Sequence, residues 1–396
     1  MERRFEKLDP AKLTEAQFGQ MIEIERHTNG IEPYTLDMLR DCVEHLANFV
    51  CLEGDAVRGF LTMNVSSRYY PKSLYVVNIG VHPDCRRQGI AQELLHQASQ
   101  FYLAEFGDKQ ISLDVMKTNR AMALYQKLGF QLTDIPSKNG DTDVVMAMPL
   151  AQLHRNLEQM HKDDRLNEIR RAEALSHTEA YNHNVLFQQG SWLSRPVKTV
   201  LDILPLFAGY EEFRALDLGC GVGRNCIPVA QAIPGGTVDC VDILELAVKK
   251  LMENAVQYGV ADRLHPRVSG IDKFPIPEDS YDLVLGISVL EHMDCRESMV
   301  KKLYEIRDGV RADGAVCFVL NTGIREHDKV SGEALQPQFE ILMDSAEMME
   351  LFGTIFEGWT VLHSTVRHQK YDTPRERGIV ELDSDVVTFA ARKENQ

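Results

Sequence analysis

The feature of this 396-residue chain that most restricts its fold is a glycine-rich turn in the second half. The segment 217–223 (DLGCGVG) follows an apolar, strand-like segment and precedes a helix-like segment at 225–232. Glycine adopts the positive φ angles that a tight turn requires, and it lets the backbone approach a ligand closely. The helix that follows points unpaired backbone N–H groups at that ligand. We therefore predict a nucleotide-like ligand at this turn, at the edge of a doubly wound α/β sheet.

The rest of the second half supports this fold class, because strand-like and helix-like segments alternate along it. The strand-like segments are 214–218, 237–242, 281–287 and 315–320, and the helix-like segments are 197–207, 225–232, 244–258 and 297–310. Such alternation predicts a parallel sheet with helices on both faces.

An acidic residue, Asp242, ends the second of these strand-like segments. A carboxylate at that point can accept hydrogen bonds from both hydroxyls of a ribose. Dinucleotide-binding proteins share this arrangement, so a dinucleotide is the competing ligand. However, the glycine spacing is G-x-G-x-G instead of G-x-G-x-x-G, and Asp217 stands two positions before the first glycine.

On these residues the second half resembles the class I S-adenosylmethionine-dependent methyltransferases, over roughly residues 185–396. The similarity extends to the segments 274–284 (FPIPEDSYDLV), 288–292 (SVLEH) and 311–315 (RADGA). It implies a Rossmann-like domain in which Asp242 holds the ribose, the turn near Ile271 flanks the adenine, and residues 286–288 lie under the methionine end. The residues expected to bind S-adenosylmethionine are Asp217, Gly219, Cys220, Gly221, Gly223, Asp242, Ile243, Ile271, Asp272, Gly286 and Ser288.

One position departs from this family pattern. Relatives often place an aspartate five residues before the proline that matches Pro275, where it binds the adenine amino group. Gly270 stands there in this chain. Asp272 is either its substitute or a solvated loop residue.

Methyl transfer requires little chemistry from the protein beyond alignment of donor and acceptor. A base is needed where the acceptor is a hydroxyl or an ammonium, and His292 is either that base or a structural hydrogen-bonding residue. The segment 288–291 (SVLE) replaces the Asn-Pro-Pro-Tyr signature of amide and exocyclic-amine methyltransferases, which disfavours DNA bases and glutamine side chains as acceptors. The aromatic residues Tyr181, Phe187 and Trp192 form either a lid or plain packing, and the basic segment 367–377 is either a binding loop for an acidic substrate or a solvated hairpin.

A second turn between a strand and a helix lies in the first half. The strand-like segment 76–81 leads into 82–91 (HPDCRRQGIA), which contains two adjacent arginines and opens a helix. Arginines beside a helix N-terminus form a phosphate-binding arrangement.

The pattern R-x-x-G-x-A at 86–91 and the segment 121–130 (AMALYQKLGF) resemble the GNAT superfamily of acetyltransferases, over roughly residues 10–150. The resemblance implies an α+β domain with a mixed sheet that binds acetyl-coenzyme A. Its pyrophosphate would lie on the backbone amides of the turn, and its pantetheine arm would pair with the strand that ends at Val81. The residues expected to bind it are Val81, Arg86, Arg87, Gln88, Gly89, Ile90, Ala91 and Asn119.

The resemblance also implies that Tyr125 protonates the departing thiolate, with a packed tyrosine as the alternative. Relatives usually have asparagine where this chain has Thr118, one position before Asn119. Many also carry a glutamate on the preceding strand to deprotonate the amine, and this chain has none there. The base is then a water chain, Glu23 or Glu25, or it is missing.

Composition limits the partners and the cell compartment. The net charge of −16 and the lack of a basic stripe disfavour nucleic acid and anionic membranes. The N-terminal residues lack a signal-peptide pattern, and the longest apolar run, 283–290, is too short to cross a bilayer. The eight cysteines form no C-x-x-C pair, so we expect a cytoplasmic protein without a structural metal.

Together these patterns predict an acetyltransferase-like domain at 1–150, a helical linker or lid at 151–185, and a methyltransferase domain at 186–396. The main hypothesis is a bifunctional transferase that acetylates an amine and methylates a small molecule. One alternative makes the first domain a coenzyme A-binding sensor or interaction module without turnover. Another makes a protein amine the acetyl acceptor. The sequence names neither acceptor and gives no oligomeric state.

Overall fold

The computed structural model describes residues 3–29, 36–65, 67, 70, 72–375 and 378–395. The chain divides into two units: unit 1 is Met1–Asp164 and unit 2 is Arg165–Gln396. The polar segment that was predicted as a helical linker or lid is one continuous helix, α5, which begins at Leu150 and ends at His183. No helix within the described ranges combines the length and the apolar character that crossing a bilayer requires.

Unit 1 is built on a seven-stranded mixed sheet with the order β1-β2-β3-β4-β5-β7-β6. Its strands are β1 (Arg3–Lys7), β2 (Ala47–Glu53), β3 (Ala56–Asn64), β4 (Ser73–Val81), β5 (Gln110–Met116), β6 (Gln131–Leu132) and β7 (Asp143–Pro149). Its helices before α5 are α1 (Glu15–Asn29), α2 (Leu36–His45), α3 (Ile90–Phe106) and α4 (Ala121–Leu128). The strand-like segment 76–81 and the helix predicted after the arginine turn are present as β4 and α3, and the sequence did not indicate β1 and β6.

The two central helices of unit 1 pack closely on the sheet because small residues make room for them. Leu94 and Leu95 of α3 are fully buried, as are Met21 and Ile24 of α1. A Cβ atom at Gly80 of β4 would lie 2.7 Å from Cγ2 of Ile24, so glycine is required for the approach of α1.

Among the described strands of unit 1, β4 and β5 alone are parallel neighbours, and they separate part of the way along. Their pairing runs from Ser73 to Val76 on β4 and from Gln110 to Leu113 on β5. Beyond Val76 no described strand continues the pairing on that side of β4. Backbone N–H and C=O groups left without a strand partner need another one, and a ligand that lies in this gap can provide it.

Unit 2 has a mixed sheet in which five parallel strands are followed by an antiparallel pair, in the order β10-β9-β8-β11-β12-β15-β14. Its strands are β8 (Arg214–Leu218), β9 (Thr237–Asp242), β10 (Leu264–Val268), β11 (Tyr281–Ile287), β12 (Val310–Asp328), β13 (Ala334–Leu335), β14 (Thr360–Arg375) and β15 (Gly378–Arg392). Its helices after α5 are α6 (Lys198–Ile203), α7 (Cys226–Ala232), α8 (Glu245–Gln257), α9 (Arg296–Gly309) and α10 (Ser345–Ile355). The predicted α/β class with a Rossmann-like second domain is confirmed, and the antiparallel pair completes the sheet.

The basic segment that was predicted as a loop or hairpin lies mostly in strand β14, which pairs with β15 as far as Arg375. Two of its cations have acidic partners: Lys370 lies 2.6 Å from Glu381, and Arg375 lies 2.6 Å from Glu326. These pairs neutralise part of the positive charge that an acidic substrate would need. The last residue of the predicted segment, Arg377, lies outside the described residues.

Candidate active sites

The glycine turn of unit 2 joins the carboxyl ends of β8 and β9. The N–H groups of Gly219 and Cys220 donate to the carbonyl oxygen of Val241, at 2.8 and 3.0 Å. The N–H of Gly221 donates to Oδ2 of Asp242 at 2.9 Å. Gly219 and Gly221 have φ angles of 70° and 52°, which residues other than glycine rarely adopt. The turn is therefore fixed to the strand that carries the predicted ribose-binding residue.

Asp242 retains acceptor capacity for a ligand. Its Oδ1 accepts from the N–H of Leu244 at 2.9 Å, so each carboxylate oxygen makes one backbone hydrogen bond. A carboxylate has about four lone-pair sites, so half of them remain for ribose hydroxyls. Burial raises the pKa of Asp242, and the two backbone N–H groups oppose this shift.

Asp217 is a buried carboxylate without a matching cation. It is 1% exposed, and neither oxygen has a hydrogen-bond partner within the described residues. Burial, together with the charge of Asp242, raises the pKa of Asp217 to about 7, and the nearby thiol and backbone N–H of Cys226 offset this only in part. An unpaired buried acid beside a ligand-binding turn fits a cationic ligand, because positive charge would stabilise its ionised form.

The predicted adenine-binding turn is present and explains the departure at Gly270. Ile271 is buried and Asp272 is exposed. A Cβ atom at Gly270 would collide with the carboxylate of Asp272. Because Gly270 has no side chain, the carboxylate of Asp272 can lie in the space beside it. This supports Asp272 as the substitute for the aspartate that relatives carry at the position of Gly270.

These elements surround one cavity of about 960 Å³. Most of the residues predicted to bind S-adenosylmethionine line it: Gly219, Cys220, Gly221, Asp242, Ile243, Ile271, Asp272 and Ser288. The remaining three, Asp217, Gly223 and Gly286, are not part of the cavity wall. Of the three aromatic residues considered as a lid, Tyr181 and Trp192 line the cavity, whereas Phe187 packs on Tyr258 with ring centroids 5.3 Å apart.

His292 lines the same cavity between two carboxylates. Its Nδ1 lies 2.9 Å from Oε2 of Glu340 and 3.2 Å from Oε2 of Glu173. Burial lowers the pKa of His292, but the hydrogen bond to Glu340 and the charges of Glu173 and Glu291 outweigh it and raise the pKa to about 9. The ring is therefore protonated at neutral pH and donates to Glu340. This geometry supports the hydrogen-bonding alternative, and a role as base stays a prediction.

Sequence reasoning missed several polar residues of the cavity wall. They come from the C-terminal half of α5 and from the strands and loops beyond the shared motifs: Glu173, His177, Asn321 and Glu340. The N–H and side-chain amide of Asn321 both donate to Oε1 of the buried Glu291, at 2.9 and 3.1 Å. No sequence signal marks these four residues, because they converge only when the sheet and α5 are assembled. Gln369 and Tyr371 also line the cavity, and they belong to the segment 367–377 that was considered as a binding loop.

The turn of unit 1 has the geometry of an anion-binding loop. Arg87 and Gly89 have positive φ angles, 61° and 76°, and α3 begins at the next residue, Ile90. The nearest atom to a Cβ placed on Gly89 is the side-chain oxygen of Gln92, at 3.9 Å, so this face of the turn is open. Arg86 instead supports the turn, donating to the carbonyl oxygens of Val81 at 3.2 Å and His27 at 2.8 Å.

The structure distinguishes between the two glutamates considered as a base in unit 1. Glu25 is 4% exposed and accepts a hydrogen bond from the side-chain amide of Asn78, on strand β4. Glu23 is exposed. The helix thus brings a carboxylate to the strand on which many relatives carry their glutamate.

Two further predicted residues of unit 1 are Tyr125, which lies in α4, and Asn119, which lies just before that helix. Burial raises the pKa of Tyr125 to about 12, so its hydroxyl keeps its proton at neutral pH. The side-chain oxygen of Asn119 accepts from the N–H of Ala121 at 2.9 Å, which ties it to the start of the helix. Its amide group remains as a donor for a ligand.

Sequence families match both units. Residues 16–130 match the Acetyltransferase (GNAT) family, and residues 216–314 match the Methyltransferase domain family. The chain thus joins two transferase-type domains: an N-terminal GNAT acetyltransferase domain and a C-terminal methyltransferase domain. These domain families generally imply binding of acetyl-coenzyme A and S-adenosylmethionine.

Individual relatives cover only part of the chain. Ajmaline N-methyltransferase of Rauvolfia serpentina is 27% identical over 146 residues, which is 36% of this chain and 45% of that protein. Release factor glutamine methyltransferase of Gloeobacter violaceus is 38% identical over 73 residues, which is 18% of this chain and 25% of that protein. The chain therefore spans less than half of the length of these two relatives.

Two solved structures illustrate the likeness. TehB from Haemophilus influenzae has a TM-score of 0.39 and 19% identity, covering 50% of this chain and 62% of that chain. The ribosomal-protein-S18-alanine N-acetyltransferase from Escherichia coli has a TM-score of 0.30 and 22% identity, covering 38% of this chain and 94% of that chain.

Proposed function

We propose that unit 2 methylates a small molecule with S-adenosylmethionine as the donor. The observation that carries this proposal is the pairing of an unmatched buried acid, Asp217, with a glycine turn fixed to Asp242 at the edge of a 960 Å³ cavity. The donor is a cation with a ribose. Asp242 lines the cavity and can accept hydrogen bonds from the ribose, whereas Asp217 lies buried behind the cavity wall and would act on the cation through its charge. Asp272 and Ile271 would hold the adenine.

The chemistry of this site is mainly alignment. The donor, when bound, supplies a sulfonium-activated methyl group, so the protein has to position the acceptor and exclude water. Tyr181 and Trp192 line the cavity and are suited to excluding water from it. Asn321, Glu340 and Tyr371 provide polar groups that can orient an acceptor. His292, which is held as a cation, positions Glu340 and Glu173 by hydrogen bonding and charge.

For unit 1, we propose acetyl transfer from acetyl-coenzyme A to an amine. The open turn at Gly89 and the gap between β4 and β5 would hold the donor, which supplies an activated thioester. Glu25 would take the proton of the attacking amine, and Tyr125 would protonate the departing thiolate. The buried position of Glu25 against Asn78 favours turnover over a sensor that only binds coenzyme A.

Small molecules are the proposed acceptors at both sites, and nucleic acid and membranes are not proposed as partners, since the net charge is −16. A cytoplasmic location is part of the same proposal, supported by the eight scattered cysteines.

The test is to incubate the protein with a cell extract that contains both metabolites and proteins, and with two isotopically labelled donors, one carrying a labelled methyl and the other a labelled acetyl group. We expect low-mass products that carry each label, identified by mass spectrometry. An acetyl label found only on proteins would show that the acetyl acceptor is a protein amine and not a small-molecule amine. Tight binding of acetyl-coenzyme A without any labelled product would support the sensor alternative.

A further inference from the structure

A cluster of histidines and glutamates joins helices α3 and α5 within unit 1, outside both donor sites. Glu93 and His96 lie one turn apart on α3. His154, Glu158 and His161 lie at i, i+4 and i+7 on α5, so they share one face of that helix. The predicted functions of the chain use none of these five side chains.

Three of them have the geometry of a metal site. Oε2 of Glu93 lies 3.5 Å from Nε2 of His161 and 3.9 Å from Nδ1 of His96, and the three ligand atoms lie within 4.8 Å of one another. Ligands about 2.0 Å from a tetrahedral zinc ion are about 3.3 Å apart, so modest side-chain movements would close the site. The ring planes of His96 and His161 form an angle of 84°, so each ring can direct a nitrogen at the same ion.

The hydrogen bonding of the cluster is incomplete without a ligand. Both ring nitrogens of His96 are buried and have no hydrogen-bond partner within the described residues. Buried polar atoms are normally satisfied, so an unsatisfied pair requires a cause. The side chain of Gln97 donates to Oε1 of Glu93 at 2.7 Å, which leaves Oε2 directed at the histidines. This is the supporting contact that metal-binding carboxylates usually have.

His96, His154 and Glu158 also bring ligand atoms within 4.8 Å of one another. However, the ring of His154 is stacked on that of His96 at a centroid distance of 4.9 Å and an angle of 7°, which orients their nitrogens poorly for one ion, so we assign His154 a supporting role. Its Nδ1 is hydrogen-bonded to Oγ of Ser99 at 2.9 Å. The site thus has three protein ligands, and the side chain of His161, which is 34% exposed, gives access from solvent.

We propose that Glu93, His96 and His161 bind a divalent transition-metal ion, of which Zn²⁺ fits the ligand set best. Imidazole and carboxylate ligands suit zinc, copper and nickel, whereas Mg²⁺ and Ca²⁺ require oxygen ligands. The ion would clamp the first part of α5 onto α3. The scattered cysteines led to the expectation of no structural metal, and the structure instead brings together histidines more than sixty positions apart in the sequence.

The test is calorimetric titration of the full chain, without an affinity tag and after chelator treatment, with Zn²⁺ and Mg²⁺. We expect the wild type to bind Zn²⁺ and not Mg²⁺, and His161→Ala and His96→Gln each to weaken Zn²⁺ binding by more than about tenfold. The matched control is His45→Ala. His45 is exposed and pairs with Asp41 at 3.1 Å, and no described residue offers it a third ligand. This variant should bind Zn²⁺ like the wild type.

Co²⁺ provides a second readout on the wild type that does not depend on how well the variants fold. We expect visible absorption typical of four-coordinate Co²⁺, and its loss on addition of Zn²⁺. The proposal is overturned if the wild type binds no Zn²⁺, if both variants retain wild-type Zn²⁺ affinity, or if Mg²⁺ binds as tightly as Zn²⁺.

Discussion

At the scale of single residues, each candidate donor site contains at least one buried carboxylate. Asp217 is an unpaired acid in unit 2, and Asp242 beside it already accepts two backbone N–H groups. Glu25 of unit 1 is buried against Asn78. Removing an acid from water has a free-energy cost, so each of these positions is expected to have a ligand or a proton to bind.

The raised pKa of Asp217 predicts that donor binding depends on pH. A cationic donor favours the ionised acid, so binding lowers the pKa from about 7 and releases a proton. If the pKa falls by about one unit, the dissociation constant for S-adenosylmethionine at pH 6 should be about fivefold weaker than at pH 8. Calorimetry in buffers of different ionisation enthalpy measures both the affinity and the proton release.

The control for this prediction is Asp217→Asn, which keeps the size of the side chain and removes its titration. Its affinity should be weaker at pH 8 and nearly constant between pH 6 and pH 8. A variant with the pH dependence of the wild type would show that another group is responsible.

The substitution Glu25→Gln should slow acetyl transfer by unit 1 without weakening the binding of acetyl-coenzyme A. The amide keeps the shape of the carboxylate but cannot take a proton, so the acetylation rate should fall by about 10²-fold or more while acetyl-coenzyme A binds normally. Steady-state kinetics and calorimetry measure these two quantities. Glu23→Gln, on the exposed side of the same helix, should retain full activity, and equal losses in both variants would contradict the assignment.

Residues in local motifs could be predicted from the sequence, and residues brought together by the tertiary fold could not. The turn and Asp242 were found because glycine spacing and a strand end are local patterns. Glu25 was one of several alternatives until the packing of α1 on β4 distinguished it from Glu23. Glu173 and Glu340 have no local pattern, and they meet His292 only in the folded unit.

At the scale of elements, the glycine turn of unit 2 is covered by the last turns of α5. A Cβ atom at Gly221 would lie 3.0 Å from the hydroxyl oxygen of Tyr181, a residue of that helix. Tyr181 is itself buried and lies in the hydrophobic core of unit 2. The helix therefore limits which side chain the turn can carry.

Gly221→Ala should weaken S-adenosylmethionine binding by at least about tenfold, because the new methyl group requires both a positive φ and movement of Tyr181. Tyr181→Phe should restore part of this loss when combined with Gly221→Ala, since it removes the atom that the methyl group meets. Calorimetry of the two single variants and the double variant gives the coupling.

Gly259→Ala is the matched control for backbone strain. Gly259 has a φ of 70° but no atom within 4 Å of an added Cβ. The Gly259→Ala substitution should lower the thermal stability slightly without changing donor affinity.

Additive effects of Gly221→Ala and Tyr181→Phe on donor affinity would contradict a contact between the turn and the helix.

In unit 2 the helices α6 to α9 and the parallel strands β8, β9, β11 and β12 were predicted from their apolar segments, whereas α10 and β10 were not. The antiparallel strands were not predicted either, and β14 shows why. Among the described strands it pairs only with β15, and all of its residues are exposed or half-buried, so it lacks the apolar alternation that marks a strand. The sequence gives a polar, charged segment, which is equally typical of a loop.

At the scale of the whole molecule, each unit has its own sheet, its own core clusters and its own donor turn. The cores of unit 2 form around β8, β9 and β11, and the main core of unit 1 forms around α3 and β5. Separate cores and separate turns predict that damage at one turn leaves the other activity intact.

The most direct test is to measure acetyl and methyl transfer from labelled donors by the wild type, Gly89→Arg and Gly221→Arg. Arginine at 89 would fill the open face of the first turn, and arginine at 221 would enter the cavity beside Tyr181. We expect Gly89→Arg to lose acetylation and keep methylation, and Gly221→Arg to show the reverse, so that each retained activity confirms the folding of the unit without the substitution, and circular dichroism reports on the unit that carries it. Loss of both activities in either variant, with the protein still folded by circular dichroism, would contradict two independent donor sites on one chain.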